Sequence, residues 1–141
     1  MRYISNKKIS PCLKVTNMLL FVWMNFRVEE YIRANGSSPF HDWFTTLDIQ
    51  AAAKITTSLL RLQMGNTANI KWFKGIGEMK IDWGGGYRIY LAKQSETQII
   101  LFGGGTKRHQ QSDINHALFL WKEYRSRKKE SLPDVKVLRK K

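Results

Sequence analysis

Lys80 and Arg88 are the residues of this chain best suited to chemistry on a phosphate. Arginine offers a planar fork of N–H donors and lysine a compact positive charge, so together they can hold an anion. Both fall on the polar side of an expected β-hairpin, with Glu78, Lys80 and Asp82 on one strand and Arg88 and Tyr90 on the next. The same types also fit an ordinary solvated sheet face with an Asp82–Arg88 cross-strand pair. A second basic group, Lys107, Arg108, His109 and Gln110, follows Gly103-Gly104-Gly105-Thr106. His109 is its acid–base candidate, because an imidazole changes charge near neutral pH. The glycines lack the spacing of a phosphate loop or a dinucleotide fingerprint. They read either as a flexible connector that brings Lys107, Arg108 and His109 to the sheet edge, or as a sharp turn. His41 and His116 are expected at helix surfaces. Trp23, Trp43, Trp72, Trp83 and Trp121 could stack on bases, but four of them fall on expected core stripes or strands and are assigned to the core.

The elements that would position these groups come in order. Residues 25–32 read as a strand, with Phe26 and Val28 alternating, and Asn35-Gly36-Ser37-Ser38 as the turn after it. Ser38 can cap a short helix from Pro39 to about Leu47 carrying Phe40, Trp43 and Phe44. Asp48 starts the next helix, in which Ala52, Ile55, Leu59 and Leu62 form one stripe before Gly65-Asn66 stops it. Strands follow at 71–74, 77–83, 87–92 and 97–102. A Gly84-Gly85-Gly86 loop would pair Trp83 with Tyr87, Ile81 with Ile89 and Met79 with Leu91, leaving Lys80 and Arg88 as diagonal neighbours. A last helix, capped by Ser112, would bury Ile114, Ala117, Leu118 and Trp121. The class is α+β: a small antiparallel sheet, an N-terminal helical hairpin on one face and a C-terminal helix.

Composition bounds the function. The chain has 141 residues and a net charge of +13, enough for one core and suited to a polyanionic or acidic partner. Much of the excess lies at the ends: 1–23 hold Arg2, Lys7, Lys8 and Lys14 with no acid, and 122–141 hold nine basic residues and three acids. Cys12 is the single cysteine, so neither an intrachain disulfide nor a cysteine-rich zinc site can form, which fits a reducing cytoplasm. No metal or other cofactor is expected. The apolar run Met18 to Met24 is seven residues long. That is far short of the ~20 a membrane span needs, and no A-x-A-like cleavage site follows. Residues 1–23 therefore read as an extension with Met24 as the natural start, 24–126 as the domain, and 127–141 as a basic tail.

Gly36-Ser37-Ser38-Pro39-Phe40, Trp43-Phe44, Leu47, Arg61-Leu62 and Gly65-Asn66 resemble the helical hairpin of the phage addiction-module killer branch of RelE/HigB-like toxins. Glu78-Met79-Lys80-Ile81-Asp82 and Gly86-Tyr87-Arg88-Ile89-Tyr90 resemble its central strands. Gly103-Gly104-Gly105-Thr106-Lys107 with Gln110, Asp113-Ile114 and Ala117 resembles its closing motif. The resemblance covers about 24–126 and implies the toxin of a type II toxin–antitoxin system, neutralised by a helix-turn-helix antitoxin. It implies a metal-independent endoribonuclease that cuts mRNA on the ribosome and so inhibits translation. Lys80, Arg88, Lys107 and His109 would be catalytic, and Tyr87, Tyr90, Arg108 and Gln110 would bind RNA. The family more often has Arg at the position of Lys80, and Thr or a basic residue at that of His109. The basic closing motif favours the endoribonuclease, but the fold also admits a non-catalytic protein poison of the gyrase-directed ParE kind, or an inactive nucleic-acid-binding remnant.

Overall fold

The computed structural model describes residues 25–131; Met24, the expected extension 1–23 and residues 132–141 of the expected tail lie outside them. The described elements are β1 (Arg27–Glu30), α1 (Pro39–Phe44), α2 (Ile49–Gln63), β2 (Ile70–Phe73), β3 (Ile76–Ile81), β4 (Tyr87–Ser95), β5 (Gln98–Thr106), a 3₁₀ turn (Lys107–His109) and α3 (Gln110–Glu130). This is an α+β arrangement with a C-terminal helix. No helix among these residues is long and apolar enough to cross a membrane.

The local signals at both helix starts act as expected. The Ser38 hydroxyl accepts from the His41 N–H at 3.1 Å and the Asp48 carboxylate from the Ala51 N–H at 2.8 Å, each satisfying a donor that the first helical turn leaves unpaired. Gly65, at φ +98°, closes α2. Ala51, Ile55, Leu59 and Leu62 form the buried stripe of α2, with Ala52 only half-buried.

The sheet is mixed, which corrects the antiparallel expectation. Its order is β1-β5-β4-β3-β2, and β1 runs parallel to β5, from Arg27 opposite Gln98 to Glu30 opposite Leu101. Alternation along residues 25–32 fixes which side chains share a face but not which strand they meet.

The two faces have different covers. One carries Met79, Ile81, Ile89, Leu91, Ile99 and Leu101 against Phe40 of α1 and Ile55, Leu59 and Leu62 of α2. The other carries Ile76, Tyr90, Ala92, Ile100 and Phe102 against Ala117 and Leu120 of α3. Tyr90, expected on an exposed polar face, therefore lies 1% exposed beneath this helix. The core assignment of tryptophan fails at Trp72, which is 45% exposed.

The glycine run is strand rather than connector. Gly103, Gly104 and Gly105 pair with Tyr90, Ile89 and Arg88, and β5 ends only at Thr106. A side chain on Gly104 would collide with the Trp43 ring, and one on Gly105 with the Asp113 carboxylate. The strand is pressed from both faces at successive residues, which is why it is bare there.

Helix α3 is fastened at its far end. Arg33 bonds Glu123 with two nitrogens, at 3.1 and 2.9 Å, and the Tyr31 hydroxyl donates to the same carboxylate at 2.7 Å. Arg127, at the start of the expected tail, donates to the Tyr31 hydroxyl and to the Ile32 carbonyl. The bonds from Arg33 and then Tyr31 hold the Glu123 carboxyl below the usual carboxylate range. A depressed folded-state value means that the contribution is present above the ordinary carboxylate range and is lost as pH falls through the folded value. Glu123→Gln is expected to lower the melting temperature at neutral pH, and the gap from wild type should close below about pH 4. Thermal unfolding followed by circular dichroism from pH 7 to pH 3 reads this; an unchanged gap at the acid end would show that the carboxylate charge contributes nothing.

Candidate functional site

Beyond the N-terminal end of α3 the second sheet face is left open, and the cations gather there. In the β3–β4 hairpin Ile81 pairs with Tyr87, Lys80 with Arg88 and Glu78 with Tyr90. The expected register was two residues too tight. The connection is the five residues Asp82 to Gly86, closed by the Gly86 N–H donating to the Trp83 carbonyl at 3.0 Å. The shift preserves the faces but makes Lys80 and Arg88 direct neighbours across the strands. It also removes the Asp82–Arg88 pair: Asp82 instead lies 3.6 Å from the Lys80 ammonium, with both side chains exposed.

Lys80, Arg88 and Lys107 line one cavity of about 560 Å³, together with Asp82, Trp83 and the three glycines of the loop. Lys107 reaches it because β5 runs beside β4 as far as Thr106, opposite Tyr87, and the chain turns there into the 3₁₀ segment. Arg88 is 8% exposed and forms the base, whereas Lys80 and Lys107 are exposed.

A buried guanidinium needs a counter-charge, and Glu78 supplies it. Their nearest atoms, Arg88 Nε and Glu78 Oε1, are 3.8 Å apart, an ion pair too long for a hydrogen bond. The other Glu78 oxygen accepts from the Gln110 side-chain amide at 2.8 Å. Gln110, expected to touch RNA, is thus a brace between α3 and the ion pair. Tyr90 lies alongside, and burial first, then the Glu78 charge, push its hydroxyl pKa upward, keeping it neutral. Asp113 is held above its ordinary value by burial, against the opposing influence of His109 and His116.

The remaining expected residues are not brought together with this group. Tyr87 faces the opposite side of the sheet, against Trp43 and Trp83. Tyr90 is 1% exposed beneath α3 and does not line this cavity. Arg108 and His109 are exposed but do not line the cavity, because the 3₁₀ turn carries them past it and toward the start of α3. Ser112 does not cap α3; its hydroxyl donates to the His109 carbonyl at 3.0 Å, and the helix begins at Gln110. Sequence reasoning missed Trp83 as a cavity wall and Glu78 as the partner of Arg88. The alternation that placed Glu78 on the face of Arg88 was the available signal for the second.

Fold and site together define a small α+β protein with a cationic cavity at one end of its sheet. The chain belongs to the same family as a Haemophilus influenzae protein described as uncharacterized, to which it is 43% identical over 86 residues, 60% of this chain and 87% of the relative. No family model matches the chain. No solved structure matches it either.

Removing one member of a buried ion pair leaves the other charged and uncompensated. Arg88→Met and Glu78→Gln are each expected to cost about 2–4 kcal/mol of stability, and the double variant less than their sum. Urea unfolding of the four proteins measures the coupling. Additive losses would mean that the 3.8 Å pair is not a working interaction.

Proposed function

We propose that this protein is an RNA-directed toxin of the RelE/HigB-like kind, a metal-independent endonuclease that cuts mRNA on the ribosome and is held in check by a helix-turn-helix antitoxin. The observation that carries the reading is the convergence of Lys80, Arg88 and Lys107 on one open cavity. Three cations around a space of nucleotide dimensions suit a phosphodiester, and their charges oppose the negative charge that builds on phosphorus during its displacement.

In the proposed reaction a ribose 2′-oxygen attacks the adjacent phosphorus as a base removes its proton. The bond to the 5′-oxygen breaks, and a proton delivered to that oxygen completes a cyclic phosphate and a free 5′-hydroxyl. Arg88, held by Glu78, would present its remaining N–H groups to the phosphate oxygens. Lys80, directly across from Arg88, is the candidate base: in its neutral form it takes the 2′-proton and so becomes a cation beside the phosphate. Lys107 is the candidate cation and proton donor on the other side. His109, the rival base, falls outside the cavity and is demoted.

Lys80→Met and Lys107→Met are expected to slow single-turnover cleavage on programmed ribosomes by about 10²–10³-fold. Arg88→Lys, which keeps the charge but loses the fork, should cost at least about tenfold, while His109→Ala should stay within about twofold. Undiminished cleavage by Lys80→Met and Arg88→Lys would sink the site. Growth arrest by wild-type protein with no new RNA ends would favour a non-catalytic protein poison instead.

A further inference from the structure

The cavity has one wall that phosphate does not require. Trp83 lines it beside Lys80 and Arg88, and its indole packs with Tyr87, ring centroids 6.2 Å apart and planes 19° apart, at the margin of the core on the opposite sheet face. The loop that follows contributes no side chain at all. Gly84 and Gly86 have positive φ, +59° and +86°, and so need glycine for conformation. Gly85 does not: its φ is outside the left-handed region, and a Cβ there would meet nothing within 4 Å. The fold leaves open space around this loop and places Trp83 beside it in the lining of the cavity.

Resting on the reading of the cavity as an RNA phosphate site, we propose that Trp83 and the Gly84–Gly86 loop form a nucleobase subsite that stacks an unpaired base of single-stranded RNA next to the phosphate held by Lys80, Arg88 and Lys107. A base within a duplex has both faces covered by its neighbours and cannot be received, so the subsite selects single-stranded or splayed RNA. The loop offers no side-chain donor or acceptor, so the subsite recognises a planar ring and not a particular base. Tyr87 packs with the indole, which is its function in place of direct contact with RNA.

The test compares two probes on the full chain at fixed salt: an uncleavable 2′-O-methyl oligonucleotide, and an abasic oligonucleotide with the same number of phosphates. Fluorescence anisotropy should show the base-bearing probe binding about tenfold tighter or more. Trp83→Ala should erase that difference and Trp83→Phe should retain most of it. Gly85→Val should weaken the base-bearing probe alone while thermal unfolding stays as in wild type, which keeps the test valid if Trp83→Ala fails to fold. Lys107→Ala should weaken both probes alike. Equal affinity of wild type for the two probes, or indifference of the base-bearing probe to Trp83→Ala and Gly85→Val, overturns the subsite and leaves the phosphate reading standing. Failure of both probes to bind, or no effect of Lys107→Ala on either, overturns the phosphate reading and the subsite with it.

Discussion

A guanidinium cannot be taken out of water without a negative partner, and the way Arg88 meets that demand organises the end of this molecule. Glu78 lies one pair further along the same hairpin face, so the β3–β4 register brings the two together. Gln110 then ties the free oxygen of Glu78 to the first turn of α3. Glu78 thus joins two strands and a helix, and Arg88, though 8% exposed, still contributes to the lining of the cavity. Had Arg88 been paired with the exposed Asp82, as residue spacing suggested, its head would have been drawn toward the loop and solvent.

The same helix decides how much of the second sheet face stays open. Its apolar side covers Ile76, Tyr90, Ala92, Ile100 and Phe102. The Arg33–Glu123–Tyr31–Arg127 network fixes its far end to the chain that leaves β1. With Gln110 fixing the near end, α3 cannot slide along the sheet without breaking charged hydrogen bonds, which are the stronger kind. Lys80 and Arg88 are uncovered by it because the helix starts beyond them.

The elements were legible in the sequence wherever a local rule wrote them: the Ser38 and Asp48 caps, the α2 stripe, the Gly65 stop and the faces of the central hairpin. Global pairings were not. The parallel partner of β1 depends on contacts about seventy residues apart in sequence, where no local signal operates. The hairpin register failed because the three glycines invited a three-residue loop, whereas the connection takes in Asp82 and Trp83 as well. Of the candidate site, Lys80, Arg88 and Lys107 were found by charge and alternation. Tyr90 was misplaced because the cover of that face by α3 depends on packing, and His109 because one 3₁₀ turn changes the direction of the chain.

The glycine run bears most directly on mechanism. As a flexible connector it would deliver Lys107 by motion, and the cationic group would exist only part of the time. As the end of a five-stranded sheet, with Trp43 against Gly104 and Asp113 against Gly105, it carries the chain to Thr106 along a fixed path. Arg88 is likewise fixed by its buried partner, and Lys80 by its place in β3. Cations whose anchors are set before a ligand arrives spend little free energy on reorganisation when charge develops, and this is the condition under which electrostatic stabilisation is most effective. The bare strand, which from sequence read as either a flexible connector or a sharp turn, is what carries the backbone of the third cation to the cavity.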